Sequence, residues 1–313
     1  MSISPTAPAA RPIVAVVGAT AAGKTGLSLD LAERLEGEIV NTDAMQVYRG
    51  MDIGTAKVPP AERRGIPHHL LDLLDVTEPL TVAEFQALAR TSVADIRARG
   101  RTPVMVGGSA LYTRAVLDRF EFPGTDPDVR RELESELARV GADVLHRRLT
   151  EVDPDAAAQI LPENGRRIVR ALEVVRITGR SFRATLPDRE YFDPESLQIG
   201  LDIDRATLDP RIARRVQEMF DAGFVDEVRR LLDAGLADGR TARTAIGYRE
   251  VTAYLAGETT LEAAVEATTA ATRRFSRRQD SWFRKDPRVV WIPWDAPDRL
   301  ERALAAVRTS TSY

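Results

Sequence analysis

The stretch that decides the fold is Val14–Leu35, "VAVVGATAAGKTGLSLDLAERL". Within it, Gly18 to Thr25, "GATAAGKT", fits the phosphate-loop pattern of glycine, four residues, then Gly-Lys-Thr. Both flanks suit that reading. Ile13 to Val17 is a short run rich in β-branched residues, as in a buried strand, and Leu27, Leu31 and Leu35 recur at helical spacing behind the loop. In such a loop the backbone N–H groups over Gly18, Ala19, Thr20, Ala21, Ala22 and Gly23 point inward, and the helix N-terminus adds partial positive charge. Lys24 supplies a full charge, the Thr25 hydroxyl can ligate Mg²⁺, and Gly23 lets the backbone come close to the phosphates.

Working outward, "GEIVNTD" offers a second strand ending near Asp43, "TVAEFQALARTSVADIRARG" an amphipathic helix stopping at Gly100, and "TPVMVGG" a third strand ending in a glycine pair. Strands alternating with helices predict an α/β fold, a parallel sheet wrapped in helices. From Phe120 to Asp193 the pattern changes to helices and turns. One helix opens with Asp126 as N-cap and Pro127 as first residue, and two more are broken at Pro162. The domain reading is therefore a phosphate-loop core over 1–119, a helical insertion over 120–195, and the rest of the core over 196–313. "LQIGLDI" resumes the strands, the next helix is expected to open with Asp209 as cap and Pro210 as first residue, and "RVVWIPW" is a last strand.

Composition bounds the function. The chain has 313 residues, 43% hydrophobic and 29% charged, as in an ordinary globular protein. No cysteine is present, so disulfides and cysteine-ligated metal sites are excluded. The start, "MSISPTAPAARP", lacks the features of a signal peptide and reads as a frayed tail. No apolar run approaches the roughly 20 residues of a membrane span, so the cytoplasm is the expected location. Net charge is −3, yet Arg273 to Arg288, "RRFSRRQDSWFRKDPR", holds seven Arg or Lys against two Asp. That segment is either a phosphate-binding face or a solvated helix face. Thr272, Phe275, Gln279 and Trp282 form its packing stripe, with Arg273, Arg274, Arg277 and Arg278 pointing away. His68 and His69 have no ligand set around them and read as structural.

The loop alone leaves its ligand open. Asp43, at the carboxyl edge of the sheet where ligands bind, reads as a metal support, a base for a nucleophile, or an N-cap. The segment Asn41 to Pro59, "NTDAMQVYRGMDIGTAKVP", narrows the choice. With the loop before it, the chain resembles the tRNA dimethylallyltransferase family, also called tRNA isopentenyltransferases. Further matches follow in order: "PHHLLD" at Pro67, "VGGSALY" at Val106, "DPDVR" ending at Arg130, "RRIVRALEV" at Arg166, "RTAIGYRE" at Arg243 and "RRQDSWFRKD" at Arg277. The resemblance covers nearly the whole chain.

It implies transfer of a dimethylallyl group from dimethylallyl diphosphate to the N6 amine of the adenosine beside the anticodon, with Mg²⁺ assisting and pyrophosphate leaving. The loop would then hold an isoprenoid diphosphate instead of ATP. Adenine N6 is a poor nucleophile because its lone pair is delocalised, so a base must take its proton as the bond forms. The resemblance gives that role to Asp43, sets Arg215 of "RIARRV" at the diphosphate, and puts Ser109 near the amine. Family members usually carry Thr at Ser109 and often Pro at Ala19. The hydroxyl is kept in the first case, and no donor is lost in the second.

For tRNA, the resemblance points to Asp43, Ala44, Met45 and Gln46 with Ser109; to Arg130, Arg166, Arg167 and Arg170 on the insertion; and to Arg243, Gly247, Tyr248 and Arg249. Met45, Gln46 and Tyr48 would fall near the tunnel where base and donor meet. The basic helix adds Arg273 and Arg277. Arginine suits phosphate contacts and stacking beside an extruded base. For Arg170 the rival reading is an ion pair with Glu173, three residues on along a helix. The partners are tRNA and dimethylallyl diphosphate, with no membrane or obligate protein partner, and a monomer is implied. The competing functions are an isopentenyltransferase acting on free adenine nucleotides, a small-molecule kinase and a non-catalytic RNA-binding protein.

Overall fold

The computed structural model describes residues 11–182 and 188–310. The expected N-terminal tail therefore lies almost wholly outside the described residues. The described chain forms two compact units, one running to Asp118 and resuming at Tyr191, the other spanning Arg119–Glu190.

The first unit is built on a six-stranded sheet. In chain order its elements are β1 (Ile13–Val17), α1 (Lys24–Arg34), β2 (Gly37–Asn41), β3 (His68–His69), α2 (Val82–Ala98), β4 (Thr102–Val106) and α3 (Ala110–Leu117). The second unit contributes α4 (Pro127–Val140), α5 (Ala142–Val152), α6 (Pro154–Gln159) and α7 (Gly165–Thr178). The first unit then continues with β5 (Ser196–Asp202), α8 (Arg205–Asp221), α9 (Phe224–Asp233), α10 (Tyr248–Leu255), α11 (Leu261–Arg284), β6 (Val289–Pro293) and α12 (Arg299–Ser310). The strand order is β3-β2-β4-β1-β5-β6, and every pairing is parallel.

Strand β1 lies between β4 and β5 and is buried along its length. Its side chains alternate between two cores. Ile13, Ala15 and Val17 pack with Phe85, Ile96 and Met105 on one face of the sheet. Val14 and Val16 pack with Leu27, Leu31 and Ile199 on the other. The period of two along a strand produces that division, and a strand covered on both faces needs no polar residue. The α/β reading is thus realised. Thr81 and Glu84 start α2 with a reciprocal capping box.

The second unit packs Leu133, Leu145, Leu149, Ile160, Ile168 and Leu172 into a core of its own. Asp126 caps α4 by accepting from the N–H groups of Asp128 and Val129, with Pro127 as first helical residue. Pro162 stands between α6 and α7.

Several features differ from the sequence reading. Helix α8 does not open at Asp209. Asp204 is its N-cap, accepting from the Thr207 N–H at 2.9 Å and the Thr207 hydroxyl at 2.6 Å, so Pro210 lies inside the helix. Proline there has no N–H for the Ala206 carbonyl, a loss confined to the early turns of a 17-residue helix. Strand β3 and helix α12 were not anticipated. The first is two residues long, too short to show a period. The second places Ala303, Leu304 and Val307 in the core that holds Leu27 and Leu31. Among the described residues, no helix is long and apolar enough to cross a membrane.

Candidate active site

A cavity of about 390 Å³ opens at the carboxyl edge of the sheet, within the first unit. The phosphate loop forms one wall with Thr20, Ala21, Gly23, Lys24 and Thr25, and Asp43 and Gln46 approach from the segment after β2. Gly107 and Gly108 follow β4, Arg211, Arg214 and Arg215 come from α8, and Phe275 and Gln279 come from α11. A parallel sheet makes this convergence inevitable, because every strand ends at the same edge.

The loop is held from behind. Ala21 has a left-handed backbone, φ 62°, and its carbonyl accepts from Arg211 Nε at 2.9 Å. The Arg211 guanidinium in turn lies 4.3 Å over the Trp294 ring. Lys24 Nζ donates to the Ala19 carbonyl at 2.7 Å. Burial and the nearby Arg215 charge bring the Lys24 ammonium down to about 7, while Asp43 pulls it upward. Arg215 is itself pushed down by burial, against the attraction of Asp43 and Glu218. Several cationic groups therefore crowd into low-dielectric space, an arrangement that an anion would relieve.

Asp43 is fixed by its neighbours. Its N–H donates to Asn41 Oδ1 at 2.8 Å, and its Oδ1 accepts from the Met45 N–H at 2.9 Å. Asn41 Nδ2 donates to the Asp43 and Leu70 carbonyls. Burial raises the Asp43 carboxyl above its usual range, opposed by the Met45 N–H and by the charges of Lys24 and Arg215. A carboxylate whose pKa lies above normal is a better proton acceptor near neutrality. Ser109 is brought to the same place, its Oγ accepting from the Ala44 N–H at 3.4 Å.

The glycine pair has a steric cause. A Cβ on Gly107 would lie 2.2 Å from Thr42 Oγ1 and 2.6 Å from its backbone carbon. A Cβ on Gly108 would lie 2.0 Å from Gln279 Nε2.

Other expected residues lie elsewhere. Tyr248 is 0% exposed, its ring stands edge-on to Phe224 at 5.0 Å, and its hydroxyl donates to Glu227 Oε1 at 2.6 Å. It packs in the core and offers no surface to RNA. Gly247 is the N-cap of α10 and is buried beside it, whereas Arg243 and Arg249 on either side are exposed. Tyr48 is likewise 0% exposed and belongs to the core, while Met45 and Gln46 are partly exposed.

On α11 the packing stripe runs Ala264, Thr268, Ala271, Ser276, Gln279 and Phe283. Trp282 is 40% exposed, so Phe283 takes the inward place assigned to it. Arg273 is half-buried and donates to the Asp209 carbonyl at 3.3 Å, and so does not point away from the packed face. Arg274, Arg277 and Arg278 do. Each residue turns the helix by 100°, so Arg273 lies at the margin of the packed face while the other three arginines stand clear of it.

Within the second unit, Arg166 and Arg167 are exposed at the start of α7. Arg130 and Arg170 converge on Glu173, which is 0% exposed. Arg170 reaches its carboxylate at 2.7 Å and also donates to the Pro123 and Gly124 carbonyls. The ion pair read as the rival for Arg170 is thus present, and Arg130 shares it. His69 Nε2 donates to Glu38 Oε2 at 2.6 Å, and His68 Nδ1 donates to the Ile66 carbonyl at 2.8 Å while His68 itself lines the cavity.

Sequence reasoning missed Arg211, Arg214 and Gln279. The arginines carried a signal, since positions 211, 214 and 215 are neighbours on one helix face. Gln279 carried only its place in the packing stripe.

Residues 46–286 match the family model described as IPP transferase. The tRNA dimethylallyltransferase of Nocardioides sp. is 72% identical over 296 residues, covering 95% of this chain and 96% of that protein. That of Streptomyces griseus is 56% identical over 98% of this chain and 99% of its own length. Among solved structures, the tRNA isopentenylpyrophosphate transferase of Bacillus halodurans is 40% identical with a TM-score of 0.72, covering 96% of this chain and 97% of that one. A eukaryotic dimethylallyltransferase described as acting on tRNA is 26% identical with a TM-score of 0.80, covering 94% and 77%.

Proposed function

The chain belongs to the IPP transferase family, and we propose that it transfers the dimethylallyl group of dimethylallyl diphosphate to the N6 amine of the adenosine 3′ to the anticodon of tRNA, releasing pyrophosphate. One observation carries the reading: Asp43, the phosphate loop and Arg215 line a single cavity.

The diphosphate lies against the cavity-lining part of the loop, Ala21, Gly23, Lys24 and Thr25, with Lys24 and Arg215 neutralising its charge and Arg211 and Arg214 beside them. As the allylic C–O bond breaks, negative charge grows on the pyrophosphate, and groups already aimed at it stabilise the transition state. Asp43 takes the N6 proton as the new C–N bond forms. Its raised pKa makes it a competent base, and the Asn41 and Met45 contacts keep it in place. Ser109, held beside Ala44, stands close to the amine.

The site suits Mg²⁺. The Thr25 hydroxyl offers a hard oxygen donor on the cavity wall, and no group of three His, Cys, Asp or Glu side chains gathers among the described residues. An ion taking most of its ligands from diphosphate and water is the ordinary magnesium arrangement. When bound, it supplies charge to the leaving pyrophosphate. The acceptor enters as an extruded base from the anticodon loop. Arg166, Arg167, Arg243, Arg249 and Arg277 are exposed, and cations of this kind suit its phosphates. The work belongs to the cytoplasm, carried out by a monomer.

Relatives named for tRNA match almost the whole chain, which disfavours a kinase or an enzyme for free adenine nucleotides. Labelled dimethylallyl diphosphate with Mg²⁺, offered unmodified tRNA, AMP and ATP separately, tests the reading. Label is expected in tRNA alone. Label in AMP or ATP overturns the acceptor, and ATP consumption without transfer overturns the reaction.

A further inference from the structure

Behind the cavity, Glu227 on α9 is 2% exposed and its carboxylate accepts four hydrogen bonds. Oε2 takes the N–H groups of Asp52 at 3.1 Å and Ile53 at 2.7 Å. Oε1 takes the Gly54 N–H at 3.1 Å and the Tyr248 hydroxyl at 2.6 Å. Three successive backbone N–H groups converging on one anion form a nest, here filled from within the protein. Gly54 is confined as well, for a Cβ there would lie 2.2 Å from Phe224 and 2.6 Å from Tyr248.

The same segment is gripped from its other end. Lys57, also buried, holds the carboxylates of Asp52 and Asp72 at 2.6 Å each and the Tyr48 carbonyl at 2.9 Å. Between the two grips lie Thr55 and Ala56, which line the cavity. The Thr55 carbonyl accepts from Gln46 Nε2 at 3.0 Å, and Gln46 lines the cavity three residues beyond Asp43. Burying a carboxylate is costly, and an apolar side chain would fill the same space. What the carboxylate adds is a fixed place for three named amides.

We propose that Glu227 is a positioning residue: it anchors Asp52–Gly54 so that the Thr55 carbonyl orients Gln46 in the wall beside Asp43, and Tyr248 joins this anchor to the segment bearing Arg243 and Arg249. The inference rests on the transfer reading of the cavity. Glu227 touches no reacting atom, so its effect must pass through Gln46.

A double-mutant cycle tests that route. Single-turnover transfer and donor binding are measured for wild type, Gln46→Ala, Glu227→Gln, Tyr248→Phe and the two double variants with Gln46→Ala. Glu227→Gln is expected to slow transfer about tenfold to a hundredfold, as small misplacements do, with the donor Kd little changed. Tyr248→Phe gives a smaller loss of the same kind. Adding Gln46→Ala to either costs little more. Losses that multiply in the double variants overturn the inference, as does a donor Kd that worsens in step with the rate. If Glu227→Gln does not fold, the Tyr248→Phe cycle decides. An inactive wild type would overturn the underlying reading too, whereas an active wild type with multiplicative losses overturns this inference alone.

Discussion

Gln279 and Thr20, 259 positions apart, meet at the phosphate loop: Gln279 Oε1 accepts the Thr20 N–H at 2.9 Å. The other end of the same amide, Nε2, donates to the Gly108 carbonyl at 2.9 Å. One side chain from α11 thus ties the phosphate loop to the turn that leads into Ser109. The bare Cα of Gly108 leaves room for it.

Gln279→Ala is expected to weaken donor binding before it affects folding. Each neutral hydrogen bond is worth about 1 kcal/mol, so losing both bonds costs up to roughly thirtyfold in donor affinity. Titration with dimethylallyl diphosphate, alongside thermal unfolding, checks this. An unchanged donor Kd would mean that the loop keeps its shape without the tie.

Asp43→Asn separates proton transfer from placement. Asparagine keeps an oxygen for the Met45 N–H but cannot act as a base. Transfer is expected to fall about 10²–10⁴-fold, the usual worth of general-base help, with tRNA affinity little altered. Single-turnover rates and filter binding measure the two effects. A rate within about tenfold of wild type would remove Asp43 from the base role.

The sequence made the fold legible where local chemistry sets it. The phosphate loop, the strand and helix flanking it and the Asp126–Pro127 helix start each depend on a few adjacent residues. Local signals failed where two of them competed. Asp209–Pro210 imitates a helix start, yet Asp204 with Thr207 forms the cap, five residues before the expected one. Long-range partners were the larger loss. Nothing beside Tyr248 in the chain shows that its hydroxyl is committed to Glu227, and nothing beside Arg130 shows that it shares Glu173 with Arg170. Motifs that resemble RNA-contacting segments therefore mixed surface arginines with residues that only pack. Gln279 is the converse case, a residue read as packing that also shapes the site.

Glu173 gives the second unit an acid-sensitive anchor. Burial pushes its carboxyl up, but hydrogen bonds and charges from Arg130 and Arg170 outweigh burial and hold it below the usual 4.5. A lowered folded value stabilises the ionised native state. That stability is complete above the unfolded pKa of about 4.5 and is lost as pH falls through the folded value. Glu173→Gln is expected to cost about 3 kcal/mol at pH 7, since two arginines lose a buried partner. The gap from wild type should narrow only below about pH 4.5. Urea midpoints across pH 3–7, a range taken from the same linkage, measure it. A gap that stays constant to the acid end would show that the charge of Glu173 is not its source.

The exposed arginines of α11 carry the last prediction. Arg277 and Arg278 face solvent, whereas Arg273 is half-buried against the Asp209 carbonyl. A cation on a nucleic-acid phosphate displaces condensed counterions, so each lost contact lowers the slope of log affinity against log salt by about 1. Arg277→Ala with Arg278→Ala should therefore flatten the salt dependence of tRNA binding by about one to two, leave thermal stability unchanged and spare donor binding. Arg273→Ala should do the reverse, lowering stability through lost packing with little change in the slope. Binding measured at several salt concentrations separates the two variants. An unchanged slope in the Arg277 and Arg278 double variant would show that this face of α11 makes no phosphate contact, and would leave the exposed arginines of α7 and those flanking Tyr248 to hold the RNA.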